Sequence, residues 1–214
     1  MVPHLAHTLQ DAGHEADPIE RVVPEGQQFA GRTKENLLMG HEAAQPQSVT
    51  IAGTIQSKVG CAADWKPDCD KTFLTYEKDA DIWHGHWDLP AGDYQYKAAI
   101  NGSWTENYGA KAKSGGDNIS FTVKTAGTVN FYYDHKTHWV TNDQSAAIAT
   151  VIGTFQSKLG CASDNKPDCL RTWLEDPQEI GKYTFTTNAI PAGDYEARVA
   201  LNESADQVYG QNGE

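Results

Sequence analysis

Part of this chain is written twice. Residues 50–74, T-I-A-G-T-I-Q-S-K-V-G-C-A-A-D-W-K-P-D-C-D-K-T-F-L, return as residues 150–174, T-V-I-G-T-F-Q-S-K-L-G-C-A-S-D-N-K-P-D-C-L-R-T-W-L, with 16 of 25 positions identical. After one inserted residue, L-P-A-G-D-Y-Q-Y-K-A-A-I-N over 89–101 returns as I-P-A-G-D-Y-E-A-R-V-A-L-N over 190–202. A period near 100 residues exceeds the roughly 20–50 of a solenoid unit, so each copy is a whole domain. The first copy runs on through I-S-F-T-V, V-N-F-Y-Y-D and H-W-V-T, which nothing matches before Glu214. A two-layer domain without its last strands leaves an apolar face open to water. The expectation is therefore a fragment of a longer polypeptide, with one copy at 49–143 and a truncated second at 149–214; the alternative is a truncated second copy that folds badly.

Residues 1–48 stand apart, with four of the eight His and neither Cys nor Trp. They read as a linker or disordered leader, and no apolar stretch follows a basic start as in a signal peptide.

Period-two alternation marks the strands. Over 93–100, Tyr94, Tyr96, Ala98 and Ile100 share one face, while Gln95, Lys97 and Ala99 take the other. Copy two repeats this with Tyr195, Ala197, Val199 and Leu201 inward and Glu196, Arg198 and Ala200 outward. P-A-G-D precedes each strand, and Asn101-Gly102 after the first is a tight-turn signal. Further strands are expected at 49–53, 72–76, 82–88, 119–123, 128–134 and 138–141. Short strands at this spacing predict an all-β, immunoglobulin-like β-sandwich in two tandem copies, the second incomplete.

Charge and composition narrow the partners. The net charge of −12 repels polyanions, which argues against nucleic acid and anionic membrane surfaces. No run of 18 apolar residues is present to span a bilayer. Each copy carries G-C-A-x-D-x-K-P-D-C, placing Cys61 with Cys69 and Cys161 with Cys169. An even count in two repeated pairs fits one disulfide per copy and an oxidising compartment. Zinc is the rival reading, but its ligands come as closer cysteine pairs converging on one point. Calcium is opposed by the replacement of Asp70 with Leu170, so Asp64 and Asp68 read as loop formers and no metal is expected.

No catalytic constellation assembles. There is no nucleophile-elbow G-x-S-x-G, and neither copy sets a carboxylate in an apolar strand, where a general acid with a raised pKa is expected. Nor is there a glycine-rich phosphate loop, so no cofactor is expected; Ser114-Gly115-Gly116-Asp117 reads as a turn. Aromatic residues are the better lead, because the flat C–H faces of sugars stack on indole and phenol rings. In Y-Q-Y-K-A-A-I-N-G-S-W-T-E-N-Y-G over 94–109, Lys97 faces away from the core stripe, Asn101 opens the turn, and Trp104 follows among polar residues with Asn107. Trp104 is either a ligand platform or a plug beneath the loop. Trp65 lies in the cysteine loop and becomes Asn165 in copy two, which leaves it open to ligand contact. Trp83, Trp87 and Trp173 read as core, Trp139 is undecided, and His135 and His138 read as solvated groups beside a hairpin turn. Copy two lacks the platform, having Ala205 and Val208 where copy one has Trp104 and Asn107.

Together these blocks, with the closing F-Y-Y-D-H-K-T-H-W-V-T, resemble the tandem accessory X-module of Gram-positive pullulanases, amylopullulanases and α-amylases. That resemblance implies a secreted, non-catalytic module beside a catalytic domain in cis, in an enzyme acting on starch or pullulan. The Y-x-Y-K…N-G-x-W order is also similar to glycogen-binding domains of the kinase β-subunit and isoamylase type. This second likeness implies α-glucan contact by Lys97 and Trp104, with Asn101 or Asn107 reaching hydroxyls; in copy two only Arg198 and Asn202 match. The alternative is a rigid spacer with no sugar site.

Overall fold

The computed structural model describes residues 44–213, so most of the segment read as a leader, residues 1–43, lies outside the described residues. Twelve strands and no α-helix make up the regular structure among the described residues, joined by short 3-10 turns. In the first copy these are β1 (Val49–Gly53), β2 (Thr75–Glu77), β3 (Ile82–Leu89), β4 (Gly92–Ile100), β5 (Ser103–Tyr108), β6 (Ile119–Val123), β7 (Gly127–Tyr133) and β8 (Val140–Asn142). All pairings are antiparallel. One sheet centres on β4, with β1 along one side and β5 and β6 sharing the other. The second has the order β2-β3-β7-β8. This is the immunoglobulin-like sandwich that the alternation predicts.

Tyr94, Tyr96, Ala98 and Ile100 do point inward, against Leu89, Val129, Phe131 and Tyr133 of the facing sheet. Tyr96 meets Phe131 edge-on at 5.1 Å, and its buried hydroxyl accepts a hydrogen bond from Asn142 Nδ2 at 3.0 Å. A phenol this deep needs such a partner, because an unpaired buried polar group costs stability. Gly53 ends β1 where a Cβ would lie 2.0 Å from the Gln95 carbonyl oxygen, so only glycine lets β4 approach.

Three expectations change. The outward-facing Ala99 and Ala200 are fully buried, because the cysteine loop closes over that side of the sheet; Thr50 Oγ1, also on this face of β1, donates to the Pro67 carbonyl at 2.6 Å. The strand expected at 72–76 begins instead as a 3-10 turn at Asp70–Thr72, Phe73 makes a single antiparallel bridge to Thr50 of β1, and the continuous strand starts at Thr75 in the other sheet. Finally, β5 runs through the polar stretch after the Asn101-Gly102 turn, where no alternation announces a strand.

The second copy contributes one sheet, with β10 (Trp173–Leu174), β9 (Ala149–Gly153), β11 (Ala197–Leu201) and β12 (Ser204–Tyr209) in that order. Its register repeats that of β1, β4 and β5. Between the copies the chain is fastened at both ends. Asn142 is fully buried and its Oδ1 accepts from the amides of Gln144 and Ser145, both at 3.0 Å. Further on, Ile148 N donates to Asn202 Oδ1 at 3.3 Å, and Asn202 N to the Ile148 carbonyl at 2.6 Å.

Candidate functional site

Two tryptophans far apart in sequence meet on the outer surface of the first copy. Trp104 and Trp65 lie 6.4 Å apart between ring centroids with their planes tilted by 39°. A β-bulge brings this about. The β4–β5 register shifts between Ala99 and Ile100, so residues 104–106 stand off the ladder. Bulges redirect side chains out of strict alternation, and this one carries the Trp104 indole toward the cysteine loop. Among the large apolar side chains of the described residues, only Trp104, at 37%, and Ile180 are classed as exposed.

Trp65 is held in a conformation that its side chain disfavours. Its φ of 60° is left-handed, a region where a bulky residue is an outlier, whereas Asn165 occupies the same place in copy two at φ 56°. Asparagine visits this region readily, so the loop does not need tryptophan to close. The loop itself is pinned twice. Disulfides join Cys61 to Cys69 and Cys161 to Cys169. Beneath each, a buried glutamine knits loop to sheet. Gln56 Oε1 accepts from Lys66 N at 2.7 Å and from Gly53 N at 3.3 Å, while its Nε2 donates to the Lys66 carbonyl at 2.7 Å and to Thr72 Oγ1 at 2.9 Å. Gln156 repeats the four bonds in the second copy. Lys66 follows Trp65 directly, so Gln56 sets where that ring stands. Sequence reasoning passed over this residue, although its presence at the same place in both copies was the available signal. Asp64 does act as a loop former, accepting from Ser57 N at 2.7 Å.

The remaining predicted residues divide. Lys97 is half-buried on the outer face of β4, paired with Ala52 across the sheet. Continuing the register makes it a diagonal neighbour of Asn107 on β5, roughly 7–8 Å away. Asn101 and Asn107, read as hydroxyl partners, are largely committed to the protein. Asn101 stands at φ 54° in the turn, and its Oδ1 accepts from Gln47 N at 2.7 Å and Ser48 N at 3.3 Å. Asn107 Nδ2 donates to the Trp104 carbonyl at 2.8 Å, and its Oδ1 is buried without a partner. Asn107 thus supports the backbone under the ring.

Elsewhere, Trp83 is buried in the core as expected, its Nε1 donating to Gln45 Oε1 at 2.8 Å. Trp87 is partly buried against that core. Trp139, undecided from sequence, stacks on Trp173 of the second copy at 4.7 Å. His135 and His138 are not simply solvated: each Nδ1 meets Tyr133 Oη, and the His138 ring lies flat on Tyr108 at 3.9 Å. Burial and the neighbouring His135 hold the His138 pKa below its usual value. Among the described residues no group of three or more His, Cys, Asp or Glu is arranged to hold a metal ion. No helix among them is long and apolar enough to cross a membrane.

Fold and surface together define a tandem immunoglobulin-like β-sandwich module that carries an aromatic pair on one copy only. The family model of the pullulanase X25 domain matches residues 48–140 and 148–214, and the chain belongs to this family. It is 34% identical over 181 residues to an amylopullulanase of Thermoanaerobacter thermohydrosulfuricus, covering 79% of this chain and 12% of that protein. An amylopullulanase of Thermoanaerobacterium thermosulfurigenes is 39% identical over 88 residues, 41% of this chain and 5% of the relative. The solved structure of a pullulanase from Bacillus acidopullulyticus superposes with a TM-score of 0.43 at 24% identity, over 74% of this chain and 16% of that one. The chain therefore spans a small part of the proteins it resembles.

Proposed function

We propose that the first copy binds α-glucan, as a non-catalytic module of a secreted starch-degrading enzyme. One observation carries this reading: an exposed indole, set among polar residues, faces a second indole held in a left-handed backbone conformation that copy two fills with the more tolerant Asn165. Local strain at a surface loop commonly accompanies function. The ring tilt of 39° suits a chain that curves between successive sugars, as α-linked glucose does, better than a flat β-linked ribbon. Lys97 supplies a donor on the same sheet face, and stacking supplies the area. Two disulfides fit an oxidising compartment, and the relatives' name places such modules in amylopullulanases.

Native electrophoresis through amylopectin tests it. The chain should be retarded, and both Trp104→Ala and Trp65→Ala should migrate as in a gel without polysaccharide. Equal mobility of the unmodified chain in the two gels would refute the reading and leave a spacer, the role favoured for the second copy by its Ala205 and Asn165.

A further inference from the structure

Four differences between the two copies meet at one seam. Where the first copy has Asp70, Lys71, Phe73 and Gly102, the second has Leu170, Arg171, Trp173 and Glu203. All four replacements engage the first copy. Leu170 and Trp173 are buried in a cluster with Ile82, Tyr132 and Trp139. The Trp173 ring stacks on Trp139 at 4.7 Å and lies 5.9 Å from Tyr132. Arg171 spans the gap, its Nε and Nη2 donating to the carbonyls of Asp79 and Lys78 at 2.6 and 2.8 Å. Tyr132 Oη donates to Glu203 Oε1 at 2.7 Å.

Glu203 is the telling member. It stands at φ 56°, left-handed backbone that a residue with a Cβ resists, in the turn position that Gly102 fills freely at φ 66°. Its carboxyl is also withdrawn from water, which raises its pKa. Glycine would avoid both costs, and what glutamate adds is the bond to the first copy. The same repeat that respecifies this face has dropped the ring pair, with Asn165 for Trp65 and Ala205 for Trp104.

We infer that the second copy is a docking module for the first, with Leu170, Arg171, Trp173 and Glu203 seating on the Ile82–Tyr132–Trp139 face so that the two copies move as one rigid body. Tandem repetition here does not duplicate a binding surface. One copy presents the rings, and the other fixes the direction in which they point. The seam stands on its own contacts and holds whatever the rings bind.

Amide 15N relaxation on the full chain tests this. In the native chain, amides of β4 and β11 should report one common rotational correlation time. The fourfold reversion Leu170→Asp, Arg171→Lys, Trp173→Phe and Glu203→Gly installs residues that the repeated fold already accepts in the first copy, and should lose the common time. Trp139→Phe, which leaves the second copy untouched, should shorten the β11 value in the same direction. Two different times in the native chain would overturn the inference. So would a single shared time retained by both variants.

Discussion

Gln56→Leu is the most searching perturbation of the first copy. Leucine roughly keeps the volume of the buried side chain but makes none of its four hydrogen bonds, so Lys66 N, the Lys66 carbonyl and Gly53 N lose their Gln56 partner. Thr72 Oγ1 still reaches the Cys69 carbonyl at 3.3 Å, so it is not stranded. Each buried backbone group left unpaired costs about 1 kcal/mol or more, giving a loss of about 3–4 kcal/mol. Against a domain stability of roughly 5–15 kcal/mol, that is a large fraction but not unfolding. The Cys61–Cys69 disulfide still closes the loop, so the damage falls on its position rather than its existence. Urea denaturation followed by tryptophan fluorescence should show the lowered midpoint, and hydrogen exchange should show the Lys66 amide deprotected. Gln56→Glu keeps the acceptor for Lys66 N but loses both donated bonds when ionised. It should therefore recover stability as the pH falls and a proton restores one donor. A Gln56→Leu loss below about 1 kcal/mol, with Lys66 still protected, would refute the claim that this glutamine holds the loop.

Three further outcomes are expected. At 37% exposure, Trp104 offers roughly 90 Å² to a ligand, given about 250 Å² for the whole side chain. Covering it stabilises a complex by about 2 kcal/mol, so Trp104→Ala should weaken binding of a linear malto-oligosaccharide up to about 30-fold by titration calorimetry. Replacing Cys61 and Cys69 together by Ser should cost about 2.5 kcal/mol, the entropy of closing so short a loop, read as a lowered Tm. Glu175 is buried, has an unpartnered Oε2, and lies near Asp134; desolvation first and then that second carboxylate push its pKa above the ordinary value of 4.5. A carboxyl raised on folding holds its proton more tightly in the folded chain, so stability is greatest below the ordinary carboxyl range and declines as the pH climbs above it. Denaturation midpoints should fall between about pH 5 and about pH 8, and Glu175→Gln should flatten that slope.

The sandwich was legible because β4 and β11 alternate cleanly and because a repeat reports which residues a scaffold keeps. What escaped notice shares a physical cause. β5 is bulged and its one core side chain, Tyr108, is preceded by polar residues and an exposed indole, so it carries no period-two signature. Alternation sets Ala99 on the face away from the core stripe, but it does not tell whether a loop covers that face, as it does here. The letter Asn does not tell that the Asn101 side-chain oxygen takes the Gln47 and Ser48 amides or that Asn107 Nδ2 holds the Trp104 carbonyl. Trp65 meeting Trp104 across 39 positions is a tertiary fact, with only the Trp-to-Asn change between the copies to hint that the residue is spared a structural duty. The seam was present in the sequence as substitutions such as Asp70 to Leu170, which were read for what they forbid, a calcium loop, and not for what they build.

The fastening of residues 142–148 has a consequence for how the protein resists attack. Cleavage between repeats normally depends on slack backbone that can enter a protease cleft. Here one end is clamped by the buried Asn142 and the other by Asn202. A protease searching for the boundary between the two copies meets a connection tied at both ends, and under limited digestion the pair should survive or be lost together.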